Sequence, residues 1–160
     1  VKNVDHYMKI HKMRLGKRVD FRFEIKTNTN RIPCPQFILQ PLVENCIVHG
    51  LSTAQKNILI RIKIEEDDRY VYVCISDNGV GIPEGRVRYL RRMLSQPSEV
   101  DLHSTRAGGH GLYNVSERIR MFYGEDSRME IESEMNEGTT FRLYLNKKGM
   151  VSHVESVSRR

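Results

Sequence analysis

Two alternating runs, NILIRIKIE at 57–65 and RYVYVCIS at 69–76, meet through the charged segment EDDR. Apolar and polar residues exchanging at every step describe strands with one face buried and one face wet. So short a joint leaves no room for a crossover, and the two runs must pair antiparallel. A lone hairpin is only marginally stable in water, so its apolar side needs further strands and a covering layer. The same alternation recurs in RMEIESE and TTFRLYL around the turn NEG, and in VDFRFEIK at 19–26, after which comes the polar turn TNTNR.

Helical spacing supplies the layer. Leu39, Leu42, Val43, Cys46 and Ile47 line one side of a helix within 35–49, with Pro41 either starting its regular part or kinking it. Arg86 to Leu94 reads as a second helix, and HGLYNVSERIRMFYG as a third, with Leu112, Val115, Ile119 and Phe122 on one face and a stop at Gly124. An N-terminal helix from Val4 to Leu15 ends at Gly16, and much of its surface is expected to pack elsewhere. The stretch 95–109 carries Pro97 and no apolar period, and reads as a flexible loop. Together these elements predict an α+β fold, a two-layer α/β sandwich with a mixed sheet, helices packed on one face and the other face solvated.

At 160 residues the chain encloses one core, and 39% hydrophobic with 29% charged residues describes a globular protein. Its apolar runs are far shorter than the roughly 20 residues of a membrane-spanning helix. A start at Val1 without a basic and then apolar leader is read as a fragment of something longer, lacking a secretory signal. Three widely spaced cysteines fit a reducing cytoplasm and no metal cluster. The net charge of +6 admits an anionic ligand or an acidic partner protein as readily as a nucleic acid. The densest basic group, Arg86, Arg88, Arg91 and Arg92, reads as the solvated face of its helix.

Three short segments carry chemistry. In DNGVGIP, Asp77 closes a strand and can accept a hydrogen bond from an amino group, while Gly79 and Gly81 let backbone approach a flat ring; a D-N-G turn also forms for structural reasons alone. In GGHGLYNV, Gly109 and Gly111 lead into a helix whose unpaired N–H groups and positive dipole end suit a phosphate, although a simple linker into a helix has the same composition. Asn45 and His49, four apart, share one helix face. An amide oxygen suits Mg2+, which takes few protein ligands beside nucleotide phosphates, and His49 can donate to a phosphate from the next turn.

The order of these segments, QPLVENCIVHG, then DNGVGIP, then GHGLYNV and finally GTTF entering a last strand, resembles the N box, the two glycine boxes and the terminal G-T turn of the GHKL nucleotide-binding superfamily. QPLVENCIVHG followed by GHGLYNVSERI is most similar to the LytS/YesM-type sensor histidine kinases. The resemblance spans roughly residues 1–146 and implies a Bergerat-type ATP-binding fold with ATP and Mg2+ as cofactors. It implies that Asn45 coordinates Mg2+, Asp77 reads the adenine amino group, Gly79 and Gly81 shape the adenine wall, Thr139 supports the adenine water network, and Gly109, Gly111 and Leu112 belong to the phosphate side. His49 joins the ATP-binding set. Residues 96–108 would be the ATP lid, 1–16 the end of a helix from a dimerisation and phosphoacceptor region, 17–148 the catalytic domain and 149–160 a polar basic tail.

Departures from the related patterns refine the expectation. Pro41 occupies a position where relatives of this superfamily carry Asn or, in the ATP-hydrolysing branches, Glu, so a water-activating side chain is missing there. Glu44 is the remaining candidate base, pointing about 100° around the helix from Asn45. Val48 stands where other histidine kinases often have Lys, and the Pro-His-Phe context of the acceptor histidine is absent, His6 and His11 reading as ordinary exposed residues. The expected function is the ATP-binding catalytic domain of a cytoplasmic kinase portion, handing the γ-phosphate to a histidine on another segment of a homodimer and thence to a response regulator, with no direct nucleic-acid or membrane contact. A GHKL-type ATPase and a nucleotide-binding regulatory module without catalysis are the alternatives.

Overall fold

The structure, a computed structural model, describes residues 2–35, 38–50, 57–95 and 109–149. The lid expected at 96–108 and nearly all of the tail expected at 149–160 therefore lie outside the described residues.

The element order is α1 (Lys2–Leu15), β1 (Val19–Ile25), α2 (Leu39–Gly50), β2 (Ile58–Glu66), β3 (Tyr70–Asp77), α3 (Glu84–Ser95), α4 (His110–Tyr123), β4 (Arg128–Glu134) and β5 (Gly138–Asn146). The five strands form one sheet in the order β1-β2-β3-β5-β4. β1 runs parallel to β2 and every other pairing is antiparallel, so the sheet is mixed. The 57–65 and 69–76 runs do form the central hairpin, with Ile62 opposite Ile75 and Ile64 opposite Val73. That register stacks Ile60, Ile62, Ile64, Val73, Ile75, Phe141, Leu143 and Ile131 on one face, all buried. Leu42, Val43, Leu90, Val115 and Ile119 cover them from the helical layer.

The opposite face is polar and half-open: Arg142 pairs with Glu132 across β5 and β4, and Arg128 lies over the Tyr144 ring at 3.9 Å. Pro41 is the third residue of α2, within the first turn whose N–H groups have no intrahelical acceptor, so it opens the helix without kinking it. Tyr123, fully buried at the end of α4, donates its hydroxyl hydrogen to the Pro33 carbonyl (2.9 Å) and ties the segment before α2 to the helical layer.

Two expectations need correction. β1 was expected half-buried throughout, yet only Val19 is buried, while Phe23 and Ile25 are 38% and 41% exposed although register puts them on the helix side. The cause is position: β1 is an edge strand beyond the cover of α2 and α4. His11, expected to be exposed, is half-buried with its ring 4.4 Å from that of Tyr7. Among the described side chains of α1, Met8 is buried in the core and Tyr7 and Leu15 pack against it, whereas Ile10 and Met13 are 64% and 86% exposed.

The two sides of α4 should behave oppositely. Ile119→Ala is expected to cost about 2–5 kcal/mol in denaturant unfolding through a cavity in the core, whereas Met121→Ala, at a 78% exposed position of the same helix, should stay within about 0.5 kcal/mol. Equal effects would mean that a different face of α4 is packed.

Candidate functional site

β3 ends at Asp77, and its register sets that residue opposite Thr139 of β5. The chain then turns back through 78–83 and docks on the β4–β5 turn. The Asn136 N–H donates to the Val80 carbonyl (2.8 Å), and the Ile82 N–H donates to Ser133 Oγ (2.8 Å), itself 3.0 Å from Thr139 Oγ1. Gly81 is held at φ +71°, where any Cβ would run into the Glu134 backbone. Gly138, at φ +104°, faces the Asp77 carbonyl just as closely. These positions need glycine both for their backbone conformation and for the contact. On the other side the Asn78 side chain accepts the Leu59 N–H at 2.7 Å, pinning the turn to β2.

A cavity of about 320 Å3 opens between this turn, α2, α3 and the start of α4. That is within the size range of small-molecule sites. Asn45 and His49 from α2, Asp77 and Gly81, Gly109, Gly111 and Leu112 from the start of α4, and Thr139 from β5 all line it. Four segments distant in sequence thus converge on one volume. Gly79 and Glu44 are not in its wall. Gly79 donates its N–H to Asp77 Oδ1 (2.8 Å) and lies so close to Gly50 that a Cβ would sit 2.5 Å from the Gly50 Cα. Glu44 accepts from the Gln40 amide (2.9 Å) and from the Tyr7 hydroxyl, whose pKa burial and this carboxylate together push up to about 12.

Asp77 is the acidic group of the cavity. Burial raises its carboxyl above the usual value; hydrogen bonds donated by the Gly79 N–H, the Cys46 thiol and the Thr139 N–H, together with the nearby His49, offset part of that. The surrounding wall is apolar, formed by Val80, Ile82, Leu112 and Phe141. A flat apolar ring bearing an amino group fits such a surface: the ring meets aliphatic side chains while its N–H donates to the carboxylate. At the start of α4, Gly109 takes φ +103° and no side chain caps the helix. Its carbonyl accepts the Tyr113 N–H, and the N–H groups of the first turn ahead of Tyr113 have no acceptor within the helix.

Sequence reasoning missed Cys46, Val80, Ile82, Pro83, Arg86, Leu90 and Phe141 as wall residues, three of them within the DNGVGIP segment itself. Cys46, Leu90 and Phe141 carry an ordinary core pattern and give no separate signal. Arg86 was taken for part of a solvated helix face. That reading suits Arg88, whose side chain is 71% exposed, but not Arg86 in the cavity wall or Arg91, whose Nε–H donates to the Ile131 carbonyl at 2.9 Å.

The profile of the family described as histidine kinase-, DNA gyrase B-, and HSP90-like ATPase matches residues 30–149. The chain belongs to this family. Among curated proteins, this ATPase-family domain is 30% identical over 146 residues to the sensor protein LytS of Bacillus cereus, covering 91% of the chain and 24% of that protein. It is 33% identical over 136 residues to the sensor histidine kinase YesM of Bacillus subtilis, covering 85% and 21%. The sensor protein kinase HptS of Staphylococcus aureus is 30% identical over 137 residues, with 85% and 25% covered. The domain thus spans about a quarter of the length of the relatives it matches. Among solved structures, the catalytic domain of histidine kinase ThkA aligns with a TM-score of 0.58 at 21% identity over 88% of this chain and 86% of that one. The histidine kinase domain from the Erythrobacter litoralis EL346 blue-light activated kinase gives 0.59 at 14% identity over 89% and 58%. The expected α+β fold, the family and ATP as its nucleotide are thereby established.

The raised pKa of Asp77 has a testable sign. The folded chain keeps the proton to higher pH than the unfolded one, so this group's contribution to stability is complete below 3.8 and is lost as pH rises through the higher folded value. The stability of the unmutated chain minus that of Asp77→Asn, from urea unfolding without nucleotide, should therefore fall as pH is raised from about 4 towards neutrality. A difference that stays flat or grows would contradict the assignment.

Proposed function

We propose that this chain is the catalytic domain of a two-component sensor histidine kinase, transferring the γ-phosphate of Mg-ATP to a histidine carried on a separate segment. The observation that carries the proposal is the convergence on one cavity of Asn45, Asp77, Gly81, Gly109, Gly111 and Thr139, contributed by elements far apart in sequence. The similarity to LytS, YesM and HptS, each described as a sensor protein or kinase, supports this branch of the family over the others.

In this reading Asp77 accepts the adenine amino group, Gly81 and the apolar wall hold the ring, Thr139 supports the water bound at its edge, and the first turn of α4 with Gly109, Gly111 and Leu112 receives the phosphates. His49 adds a donor one turn from Asn45. The described residues contain no cluster of three His, Cys, Asp or Glu able to cage a metal. The Asn45 amide oxygen in the cavity wall is a hard ligand that fits Mg2+, an ion that takes few protein ligands and is completed by nucleotide phosphates and water. When bound, Mg2+ would neutralise charge on the phosphates. The chain's own task is positioning, because phosphoryl transfer leaves little covalent chemistry to the protein.

Glu44 would serve as a base only for an acceptor arriving from the α1 side, where Tyr7 and Gln40 hold its carboxylate. Pro41, in the first turn of α2, offers no group to activate water, which favours transfer to a protein acceptor over hydrolysis. The full-length protein would be a homodimer, would pass the phosphoryl group to a response regulator and would keep this domain in the cytoplasm. Among the described residues no helix is long and apolar enough to cross a membrane.

In the full-length protein, Asp77→Asn and Asn45→Ala should each lower autophosphorylation at subsaturating ATP by about 10–100-fold, the factor carried by one charge-assisted hydrogen bond of about 1.5–3 kcal/mol. Radiolabelled γ-phosphate incorporation measures it. Unchanged labelling in Asp77→Asn, or hydrolysis by the chain alone as fast as a dedicated ATPase, would refute the proposal.

A further inference from the structure

Four arginines follow one another along α3, and the structure gives them different environments. Arg88 stands in solvent 3.9 Å from Glu84, Arg91 is committed to the Ile131 carbonyl, and Arg92 is exposed. Arg86 is half-buried and forms part of the cavity wall. Among the described residues it is the one lysine or arginine that lines this cavity.

Its placement within the cavity is asymmetric. A terminal guanidinium nitrogen of Arg86 would lie 3.5 Å from a Cβ built on Gly109, the residue that opens α4. Asp77, in contrast, is met by Gly79, Cys46, Thr139 and His49 and, among the described residues, by no arginine. The Arg86 guanidinium thus lies beside the start of α4, while the groups that meet the Asp77 carboxylate come from the β3 turn, α2 and β5. The Tyr89 ring, with its centroid 4.9 Å from the guanidinium carbon, props the side chain. A ring contact orients the guanidinium without using its N–H donors, and among the described residues no carboxylate forms an ion pair with it. On the α2 side Val48 is 66% exposed to solvent, and His49 reaches the cavity wall.

We infer that Arg86 is a phosphate-binding residue of the nucleotide cavity, its guanidinium acting with the first turn of α4 to hold the di- or triphosphate. The inference rests on the nucleotide reading of that cavity. A planar fork of donors beside unpaired helix N–H groups binds phosphate oxygens bidentately, which an ammonium cannot do. Arg86 thereby distinguishes phosphorylated nucleotides from the nucleoside, whereas Asp77 selects the base.

The test is a titration of the chain with Mg-ATP, Mg-ADP and adenosine for the unmutated protein, Arg86→Ala, Arg86→Gln and Arg86→Lys. Arg86→Ala and Arg86→Gln should weaken ATP and ADP by about tenfold or more, equivalent to ~1.4 kcal/mol, and leave adenosine within about twofold. Arg86→Lys should fall between them and the unmutated chain, keeping the charge but losing the fork. Arg86→Gln gives the same reading if the alanine variant does not fold, circular dichroism deciding that. Unchanged ATP affinity in the variants, or an equal loss for adenosine, would overturn the role of Arg86 and leave the nucleotide site standing. An unmutated chain that binds no ATP would overturn both.

Discussion

The turn that leaves β3 is held in place by the turn that joins β4 to β5, and the whole site depends on this contact. Central strand pairing ends with Asp77 opposite Thr139, after which Gly81 and Gly138 bring two backbones closer than any side chain would permit. Hydrogen bonds from the Asn136 and Ile82 N–H groups lock the arrangement. Because the contact is backbone on backbone, it fixes the Asp77 carboxylate relative to the sheet within a narrow range. The carboxylate can then remain half-buried above an apolar wall, a costly position for a charge unless several N–H and S–H groups point at it.

From that fixed point the cavity acquires a direction. Around Asp77 the wall is largely apolar and suits a heterocycle; at the start of α4, N–H groups without an acceptor in the helix and the Arg86 guanidinium suit an anion. Asn45 and His49, one turn apart on α2, form part of the same wall. In the proposed reading, selectivity for the base, charge compensation and placement of the terminal phosphate fall to different elements. A protein acceptor supplies the nucleophile in such a scheme, and the domain needs no base of its own beside the phosphate. The absence of a polar side chain at Pro41 is consistent with that division.

Much of this was legible in the sequence because the informative residues are local. The 57–76 hairpin, the α4 stripe and the stops at Gly16 and Gly124 follow from period and from residues whose backbone preferences are narrow. The motif residues were legible for the same reason, since a turn that requires glycine at a fixed offset from an acid leaves few sequences able to make it. What escaped was decided by tertiary neighbours. Phe23 and Ile25 alternate as buried residues do, yet their strand lies at the sheet edge. Gly79 reads in sequence as part of a ring-binding wall, whereas in the structure it packs so closely on Gly50 at the end of α2 that a Cβ would not fit. Arg86 lies about 200° round α3 from Arg88 and one turn before the buried Leu90, so helix period separates the two, but period does not say which helix start Arg86 meets. Glu44 likewise looks available beside Asn45 until Tyr7, from the far end of the sequence, reaches its carboxylate.

The central claim is that this cavity binds ATP through a divalent metal, and isothermal titration of the chain with ATP in the presence and absence of Mg2+ tests it most directly. The account predicts saturable one-site binding that weakens by about tenfold or more when Mg2+ is withheld, about 1.4 kcal/mol or more. Affinity that is the same with and without Mg2+, or no saturable binding at all, would contradict it.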